Sequence, residues 1–426
     1  MSQGAPCPLN HLSKGELMLI RNVVVYDGRG GEPLHDAAVS IDGERIAWVG
    51  PLSDLPAAVT ADPSVVDGEG RALLPGLINT HVHLSWDGRP DPTSYAAHSE
   101  AQETLIVFSG ALKTLAGGVT TVRDCGARTS GVIALAEAVD TGLVPGPRVV
   151  ACGSFITMTG GHGNWAGIEA DGAEAVRDAV RGQAKRGARS IKLIATGGVL
   201  TPGTEPGGAS YTEEELAAGV AEANRLGLPV AAHAIGTEGI KNALRAGVGS
   251  IEHGSYLDDE ACELMRTRNI SHSPTLSAYH TLVAGGSQDG VAPSIIRKAV
   301  GASQSNTESF RRSVAAGVNV VCGTDAGTPQ NPHGGVGLEI RLMVDAGVPI
   351  STAVKFATLN SARCLGLADQ IGSIEPGKIA DLILVDPSFA RDPVLLDFPW
   401  FVMRDGRSML DDLPLSDAAK EMSVAK

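Results

Sequence analysis

The sequence predicts an α/β fold, a (β/α)8 TIM-like barrel with a small composite β-sandwich domain built from both chain ends. Three observations predict it. Strand-like and helical segments alternate eight times, glycines mark the passages from helix to strand, and short alternating strands occupy both ends of the chain. Eight alternating units favour a barrel over an open doubly wound sheet, which usually has fewer strands. We expect residues 1–72 and 369–426 to form the β domain and residues 73–368 the barrel.

Short alternating strands open the chain, joined by Gly-containing turns of the hairpin type. They are LMLIRNVVVYDG, AAVSIDGERIAWVG and SVVDGEGRALL. The same pattern of short alternating strands recurs near the other end of the chain, in KIADLILVDP and WFVMRDGRSML. We expect the strands of the two ends to pair with each other.

Eight apolar segments with strand character follow, most of them separated by a helical stretch. In order they are GLINTHVHL, GVTTVRDCG, PRVVACGSF, ARSIKLIAT, LPVAAHA, VGSIEHGS, NISHSPTL and VNVVCGTDAG. Glycines in LAGGVTTV, LRAGVGSI and VAAGVNVV stand where a helix C-terminus needs a left-handed residue. Thr212 and Glu215 have the spacing of a capping box that starts a helix.

Composition excludes several classes of protein. The 426 residues carry a formal net charge of -14, which argues against a nucleic-acid or anionic-membrane partner. The N-terminus lacks a basic segment followed by a long apolar stretch, and no run of about eighteen apolar residues occurs. We therefore expect a cytoplasmic protein. The six cysteines lack CxxC spacing, which indicates reduced, mostly buried thiols.

Polar residues stand at the C-terminal ends of successive predicted strands, where barrel enzymes carry their catalytic groups. They are His81, His83, Lys192, His233, His253 and Asp325. His81 and His83 lie two apart, so on a strand they face the same side and can bind one metal ion together. A single strand-end histidine is more often a satisfied core or surface residue than a ligand. The joint pattern predicts a metal site.

Lys192 interrupts the apolar strand ARSIKLIAT. An unpaired ammonium in such a strand is costly to desolvate. A neutral lysine amine can take up carbon dioxide to give a carbamate, an anionic ligand that is able to bridge two cations. The alternative is a lysine whose stem is buried while its head reaches solvent or an acid. The surrounding strand-end histidines and Asp325 favour the carbamate.

The strand-end set resembles the binuclear amidohydrolase superfamily, and the resemblance covers nearly the whole chain. TTVRDCG, MTGGHGN, SYTEEEL, AAHAIGTEGI, SIEHGSYLDDE and ATLNSARCLGLADQIGSIEPGKIADLILVD are similar to its imidazolonepropionase-related branch. That branch includes metal-dependent Xaa-Pro and other dipeptidases, ochratoxin-type amidases and hydrolases of aryl ureas. The resemblance implies two zinc-like ions with a hydroxide between them, and homo-oligomers are common among such proteins.

The resemblance also implies roles for single residues. His81, His83 and Asp325 would hold a buried metal, His233 and His253 a more exposed one, and carboxylated Lys192 would bridge them. Asp325 would act first as general base and then as general acid. Asp325, His253 and Tyr211 are the expected catalytic residues.

Expected substrate contacts follow from the same comparison. His162 in GGHGN and Tyr211 in SYTEEEL match positions at which dipeptidases of this branch hold their substrate, although Tyr211 also stands where a hydrophobic staple precedes a helix cap. Those dipeptidases read HAHG where this chain reads HAIG, and Ile235 cannot donate a hydrogen bond. His272 and His333 are expected in loops near the mouth, as substrate contacts or as solvated histidines.

The sequence therefore predicts a binuclear-metal hydrolase of a C–N amide-type bond in a small molecule, such as a dipeptide, an N-acyl amino acid or a related amide. Neutral xenobiotic amides, aryl ureas or carbamates are the alternative that Ile235 favours. A deaminase fits less well, because the first acid after His233 is Glu238, too far along the chain to shuttle protons. A non-catalytic scaffold would be expected to have lost metal ligands, and none is missing.

Overall fold

The structure is a computed structural model that describes residues 17–60, 63–286 and 290–410. Five strands come first: β1 (Leu17–Val25), β2 (Leu34–Asp42), β3 (Arg45–Pro51), β4 (Ser64–Asp67) and β5 (Ala72–Pro75). Strands and helices then alternate: β6 (Leu77–Val82), α1 (Glu100–Ala116), β7 (Val119–Asp124), α2 (Gly131–Asp140), β8 (Arg148–Ala151), β9 (Ile156–Thr157), β10 (Ile168–Glu169), α3 (Gly172–Arg186), β11 (Ile191–Ile194), α4 (Glu213–Arg225), β12 (Val230–Ala234), α5 (Thr237–Ala246), β13 (Ser250–His253), α6 (Asp259–Thr267) and β14 (Ser271–Ser273).

Helices dominate the next part of the chain, and three strands follow them. The helices are α7 (Leu276–Gly285), α8 (Pro293–Ala315), α9 (Val336–Asp345), α10 (Ile350–Lys355) and α11 (Ser361–Cys364). A π-helical turn over Phe356–Asn360 joins the last two. The strands are β15 (Leu382–Val385), β16 (Phe401–Arg404) and β17 (Arg407–Ser408).

Strands from both chain ends share one eight-stranded sheet. Its order is β17-β16-β15-β5-β1-β2-β3, and β4 pairs with β1. The link between the two ends is the antiparallel pair of β15 and β5, which runs from Leu382 opposite Pro75 to Val385 opposite Ala72. The expected pairing between N-terminal and C-terminal strands is therefore present.

The expectation of hairpin connections is right for β1 with β2 and for β2 with β3, which pair antiparallel, and wrong for β4 and β5. Those two strands do not pair with each other, because each runs parallel to β1. The turn between them is tied to β1 itself: Gly68 N donates to Arg21 O and Gly70 N donates to Asn22 O. Asn22 also donates from its side chain to both carboxylate oxygens of Asp67. The turn thus moves the chain along β1 instead of reversing it.

Parallel strands form two further sheets, β6-β7-β8 and β10-β9-β11-β12-β13-β14. Seven of the eight predicted central strands lie where the sequence predicts them, as β6, β7, β8, β11, β12, β13 and β14. The first sheet joins the second where Arg189 N donates to Ala151 O at 2.7 Å, just before β11. The carboxyl ends of these strands therefore lie at one side of the α/β unit.

The eighth predicted strand, VNVVCGTDAG, is extended but irregular. It makes only single bridges, from Val320 to β14 and from Ala326 to β6. Between these bridges Thr324 N donates to the Asn79 side chain at 3.1 Å and also to His81 O at 3.3 Å. Asp325 then adopts a left-handed backbone with φ of 58°. The segment still lies between the two parallel sheets and connects them.

Helix ends follow the sequence signals. Thr212 Oγ1 accepts from Glu215 N, and the Glu215 carboxylate accepts from Thr212 N at 2.9 Å, so the predicted capping box at α4 is confirmed. Gly118, Gly247 and Gly317 have φ of 80°, 89° and 72°. These are the left-handed glycines that the three helix-to-strand phrases predict.

The cysteines within the described ranges are free thiols. Cys125, Cys152, Cys262 and Cys322 are buried and Cys364 is half-buried, as expected, while Cys7 lies outside the described residues. Over the same ranges, no helix has the length and apolar character that crossing a membrane needs.

Candidate active site

His81, His83 and Asp325 meet at the carboxyl end of β6. Asp325 Oδ1 lies 3.3 Å from Nε2 of both histidines. Their ligand atoms all lie within 4.8 Å of one another, which is compatible with a single metal ion. Burial by itself raises the pKa of Asp325, but the neighbouring His81 and His83 hold that pKa well below its usual value. The carboxylate is therefore ionised at neutral pH.

Two residues at this site have a left-handed backbone although they are not glycines. His253 has φ of 69° and Asp325 has φ of 58°. Such conformations cost on the order of 1–3 kcal/mol and occur at sites where the surrounding structure enforces them. Asp325 N donates to His81 O at 2.8 Å, which ties the strained residue to β6.

His233 and His253 complete a row of imidazoles along the same cavity. The ring centroids of His233 and His253 are 4.6 Å apart, and those of His81 and His253 are 5.1 Å apart. His253 Nδ1 lies 2.8 Å from Thr275 Oγ1. His233 Nε2 lies 3.1 Å from Gly197 O. The structure thus brings all four predicted strand-end histidines together.

Lys192 lies in the middle of this group. Its side chain is buried, at 2% exposure, and lines the cavity with the four histidines and Asp325. Its Nζ atom has no hydrogen-bond partner among the described residues. A buried ammonium without a partner is costly, because the interior does not replace its hydration.

A buried ion pair that is not among the residues predicted from the sequence contacts His81 on the side away from Asp325. Glu252 Oε2 lies 2.9 Å from His81 Nδ1, and Arg123 donates to Glu252 Oε1 at 2.6 Å. Burial would raise the pKa of Glu252, but Arg123 holds it well below its usual value. The signal was the same as for Lys192, because Arg123 in TTVRDCG and Glu252 in SIEHGS each interrupt an apolar strand.

His162 and Ile235, the expected substrate contacts, line the cavity. His162 Nδ1 is 2.9 Å from Thr201 Oγ1, and its ring centroid is 4.5 Å from that of His233. Burial lowers the pKa of His162 to about 4, so it is neutral at physiological pH. Ile235 is buried and its side chain forms part of the wall.

The structure does not bring Tyr211 or His333 to the cavity lining. The Tyr211 hydroxyl donates to Ala170 O at 2.7 Å. His333 Nε2 lies 2.8 Å from the carbonyl oxygen of Trp86, so it supports a residue of the wall rather than the cavity itself.

His272 is buried in β14 rather than placed in a loop. Its Nε2 lies 3.0 Å from His253 O, and its Nδ1 lies 2.8 Å from Ser313 Oγ. It therefore supports the strained backbone of His253 and does not reach the cavity.

The cavity has two adjoining lobes that share part of their lining. Both are lined by His162, Leu200, His233, His253, Asp325 and Thr328. The aromatic lobe adds Trp86, Phe155 and Trp165 to the wall. The aliphatic lobe adds Val199, Ile235, Ala278, Tyr279 and Leu282. His233, His253 and Asp325 line both lobes, whereas His81, His83 and Lys192 line the aromatic lobe.

Parallel strands whose carboxyl ends carry converging histidines and an aspartate indicate an α/β enzyme of the TIM-barrel type. The model of the amidohydrolase family matches residues 72–412. The chain belongs to the amidohydrolase family, as the sequence motifs indicated.

Named relatives are hydrolases. Ochratoxinase of Aspergillus niger is 31% identical over 392 residues, which cover 85% of this chain and 80% of the relative. The solved structure of a Xaa-Pro dipeptidase with bound methionine in the active site superposes with a TM-score of 0.85 at 32% identity, over 92% of this chain and 99% of that one. Phenylurea hydrolase B gives a TM-score of 0.76 at 25% identity, over 94% and 98%.

Proposed function

We propose that this enzyme uses two divalent metal ions to cleave a C–N amide-type bond in a small molecule. The observation that carries the proposal is Lys192 Nζ, which is buried without a hydrogen-bond partner among the described residues and lines one lobe with His81, His83 and Asp325. In this proposal a (β/α)8 barrel over residues 73–368 holds the site, and residues 1–72 and 369–426 form a composite β-sandwich domain.

The side chains present fit such ions. Imidazole and carboxylate groups are ligands that Zn²⁺ accepts, and we propose Zn²⁺ as the metal. The proposed ligands are His81, His83 and Asp325 for one ion, His233 and His253 for the other, and carboxylated Lys192 for both. Bound ions of this kind lower the pKa of water and polarise a carbonyl oxygen.

Carboxylation gives Lys192 the charge that its position requires. The neutral amine adds to carbon dioxide, so that an N–C bond forms and one proton leaves to solvent. The product is a carbamate with two oxygen atoms and one negative charge. This change replaces an unpaired buried cation with an anion suited to a site for two cations.

Asp325 is the proposed proton carrier. Its carboxylate would accept a proton from the attacking water and deliver it to the departing nitrogen, as a general base and then a general acid. The low pKa of this carboxylate keeps it ionised at neutral pH.

Other residues hold these groups in place. Glu252 accepts from His81 Nδ1, which leaves Nε2 free to act as a ligand. His162 lines both lobes and is proposed as a substrate contact. We propose a structural role for Tyr211, since its hydroxyl is engaged with Ala170 O away from the cavity.

The relatives support the type of bond. Ochratoxinase, the Xaa-Pro dipeptidase and phenylurea hydrolase B are each named for a different substrate. An amide, a peptide and a urea all contain a carbonyl carbon bonded to nitrogen. Cleavage of that bond is the reaction that one shared site can perform on all three.

Metal analysis and a substrate panel test the proposal together. We expect about two equivalents of divalent metal per chain. We expect hydrolysis within a panel of Xaa-Pro dipeptides, N-acyl amino acids, anilides and aryl ureas, with loss of activity on chelation and recovery with Zn²⁺. A purified protein without bound metal, or one that releases ammonia from amino-heterocycles and cleaves no member of the panel, would contradict the proposal.

A further inference from the structure

The start of α7 is tied to two strand ends of the active site. Thr275, the residue before α7, places its Oγ1 atom 2.8 Å from His253 Nδ1. Ser277 Oγ donates to the carbonyl oxygen of Thr324, the residue before Asp325, at 3.2 Å. The first turn of α7 is therefore fixed against the proposed metal ligands.

A buried carboxylate holds the same turn. Leu276 N and Ser277 N donate to the two carboxylate oxygens of Glu339, at 2.9 and 2.7 Å. Glu339 is fully buried in α9. These bonds satisfy backbone donors that the start of a helix leaves without an intrahelical partner. The side chains of this turn consequently keep a fixed position relative to the cavity.

Tyr279 belongs to this turn and lines the aliphatic lobe. Its side chain is buried, and His233, His253 and Asp325 line the same lobe. The Tyr279 hydroxyl oxygen lies 2.8 Å from Ser255 Oγ, and either hydroxyl could donate at that distance. The surroundings of Ser255 decide which one does.

Ser255 has one acceptor for its proton. It is fully buried, and within the described ranges its Oγ atom has one other hydrogen-bond partner, Asn306 Nδ2 at 3.3 Å. Asn306 Nδ2 also donates to His253 O and Pro274 O, at 3.1 and 3.0 Å, which identifies this atom as the amide nitrogen. An amide nitrogen donates and cannot accept. Ser255 therefore donates to Tyr279, because a buried hydroxyl proton without an acceptor is destabilising.

Helix α8 fixes Ser255 in this orientation. Ser309 Oγ donates to Ser255 O at 2.8 Å and accepts from Leu257 N at 3.0 Å. Ser309 and Asn306 lie three residues apart on α8, so one face of this helix holds both the backbone and the hydroxyl of Ser255. The direction of the hydrogen bond to Tyr279 thus follows from the packing of α8.

The proton of Tyr279 is then available to the cavity. A tyrosine hydroxyl keeps its proton at neutral pH and can accept one hydrogen bond while it donates another. Tyr279 lines the lobe, whereas Ser255 and Asn306 do not. The bond that Tyr279 accepts from Ser255 also polarises its hydroxyl and makes it a stronger donor.

We infer that Tyr279 is a catalytic residue, whose hydroxyl donates a hydrogen bond to the substrate oxygen that gains negative charge when the scissile amide is attacked. This inference rests on the proposed function and adds a residue to it. As the water oxygen bonds to the carbonyl carbon, the C=O double bond becomes a single bond and its electron pair moves to this oxygen. A neutral donor that is already in place stabilises the new charge. Ser255 is a positioning residue, since it acts through Tyr279.

Kinetics of Tyr279→Phe test this role on the panel member that the natural enzyme cleaves fastest. We expect kcat to fall by roughly 10²–10³-fold, the usual loss when one oxyanion donor is removed, with a much smaller change in KM and the natural metal content. A fall of less than roughly tenfold, the size of an ordinary hydrogen bond, overturns the inference and leaves the proposed function standing. If the natural enzyme cleaves no panel member, the proposed function fails and this inference fails with it.

Two further variants separate catalysis from support. Ser255→Ala removes the donor to Tyr279 but keeps the Tyr279 hydroxyl, so we expect kcat to fall by less than roughly tenfold. A loss in Ser255→Ala as large as that in Tyr279→Phe would show that the pair is a structural contact and would overturn the inference. Tyr26→Phe is the matched control, because Tyr26 packs on Phe389 and lines neither lobe, and it should keep the natural kinetics.

Raman spectroscopy of the purified protein gives a readout that does not depend on turnover. The intensity ratio of the tyrosine Fermi doublet distinguishes a hydroxyl that accepts a hydrogen bond from one that only donates. The spectrum of the natural protein minus that of Tyr279→Phe isolates this residue. We expect an accepting hydroxyl, whose accepting character is lost in Ser255→Ala. A hydroxyl that only donates in the natural protein shows the reverse hydrogen bond to Ser255 and overturns the inference.

Discussion

Glu252 Oε2 lies 2.9 Å from His81 Nδ1, and this contact determines which imidazole nitrogen faces the cavity. Because the carboxylate can only accept, Nδ1 carries the proton and Nε2 keeps its lone pair. That free Nε2 lies 3.3 Å from Asp325 Oδ1. The contact therefore prepares His81 as a metal ligand.

Glu252→Gln should weaken divalent metal binding by roughly 10–100-fold, because an amide accepts less strongly from His81 and no longer pairs with Arg123. Competition with a chromophoric chelator measures the affinity. Glu238→Gln, on the exposed face of α5, is the control and should bind metal like the natural protein. Natural affinity in Glu252→Gln would show that the contact does not tune the ligand.

Lys192→Ala should remove most of the bound metal and most of the activity, because both ions would lose a shared anionic ligand. Elemental analysis and turnover measure the two effects, and formate is expected to restore part of the activity by replacing the carbamate oxygens. Lys185→Ala, on the exposed end of α3, should change neither quantity. Full metal content and full rate in Lys192→Ala would refute carboxylation.

Asp325→Asn keeps the shape of the side chain but cannot accept a proton. We expect kcat to fall by roughly 10²–10⁴-fold, the usual contribution of a general acid–base group. Single-turnover kinetics at matched metal occupancy separates this loss from lost metal. Turnover at the natural rate would remove Asp325 from the proton path.

Tyr211→Phe distinguishes a structural role from a catalytic one. The change leaves the buried carbonyl of Ala170 without its donor and should lower the free energy of unfolding by about 1–3 kcal/mol, with kcat/KM unchanged. Urea denaturation measures the stability. Tyr256→Phe removes a longer, exposed hydrogen bond of 3.4 Å and should have a smaller effect. If Tyr211→Phe lowers kcat/KM while its free energy of unfolding stays that of the natural protein, Tyr211 has a catalytic role.

His272 makes stability depend on pH. Burial lowers its pKa from 6.5 to about 4, so below pH 6.5 the unfolded chain binds a proton that the folded chain does not. The free energy of unfolding should therefore fall as the pH falls from about 6.5 to 4, by up to about 1.4 kcal/mol per pH unit from this residue. In urea titrations with chelator present, His272→Gln should lower this slope, and His280→Gln at an exposed position should not.

Convergence of the strand-end residues could be predicted because parallel strands bring their carboxyl ends to one side. Lys192 could be recognised because a charge inside an apolar strand needs an explanation, and the same reasoning applied to Arg123 and Glu252 would have found their ion pair. Sequence could not place Tyr211, since its partner Ala170 lies 41 residues away and only packing brings the two together.

Backbone detail also lay beyond the sequence. The left-handed conformations of His253 and Asp325 depend on contacts from neighbouring strands rather than on residue type. The parallel pairing of β4 with β1 depends on hydrogen bonds from Gly68 and Gly70 to β1, whereas the same glycines in sequence favour a reversal.

The pairing of β15 with β5 affects how the chain folds during its synthesis. The ribosome must synthesise roughly 300 residues between Pro75 and Leu382. The edge of β5 that pairs with β15 therefore stays unpaired while the central strands already fold. Unpaired edges attract other strands, so nascent chains are most prone to aggregate in this interval. A chain that stops before β15 would keep that edge open permanently, and we expect ribosome-released fragments of this length to depend on chaperones for solubility.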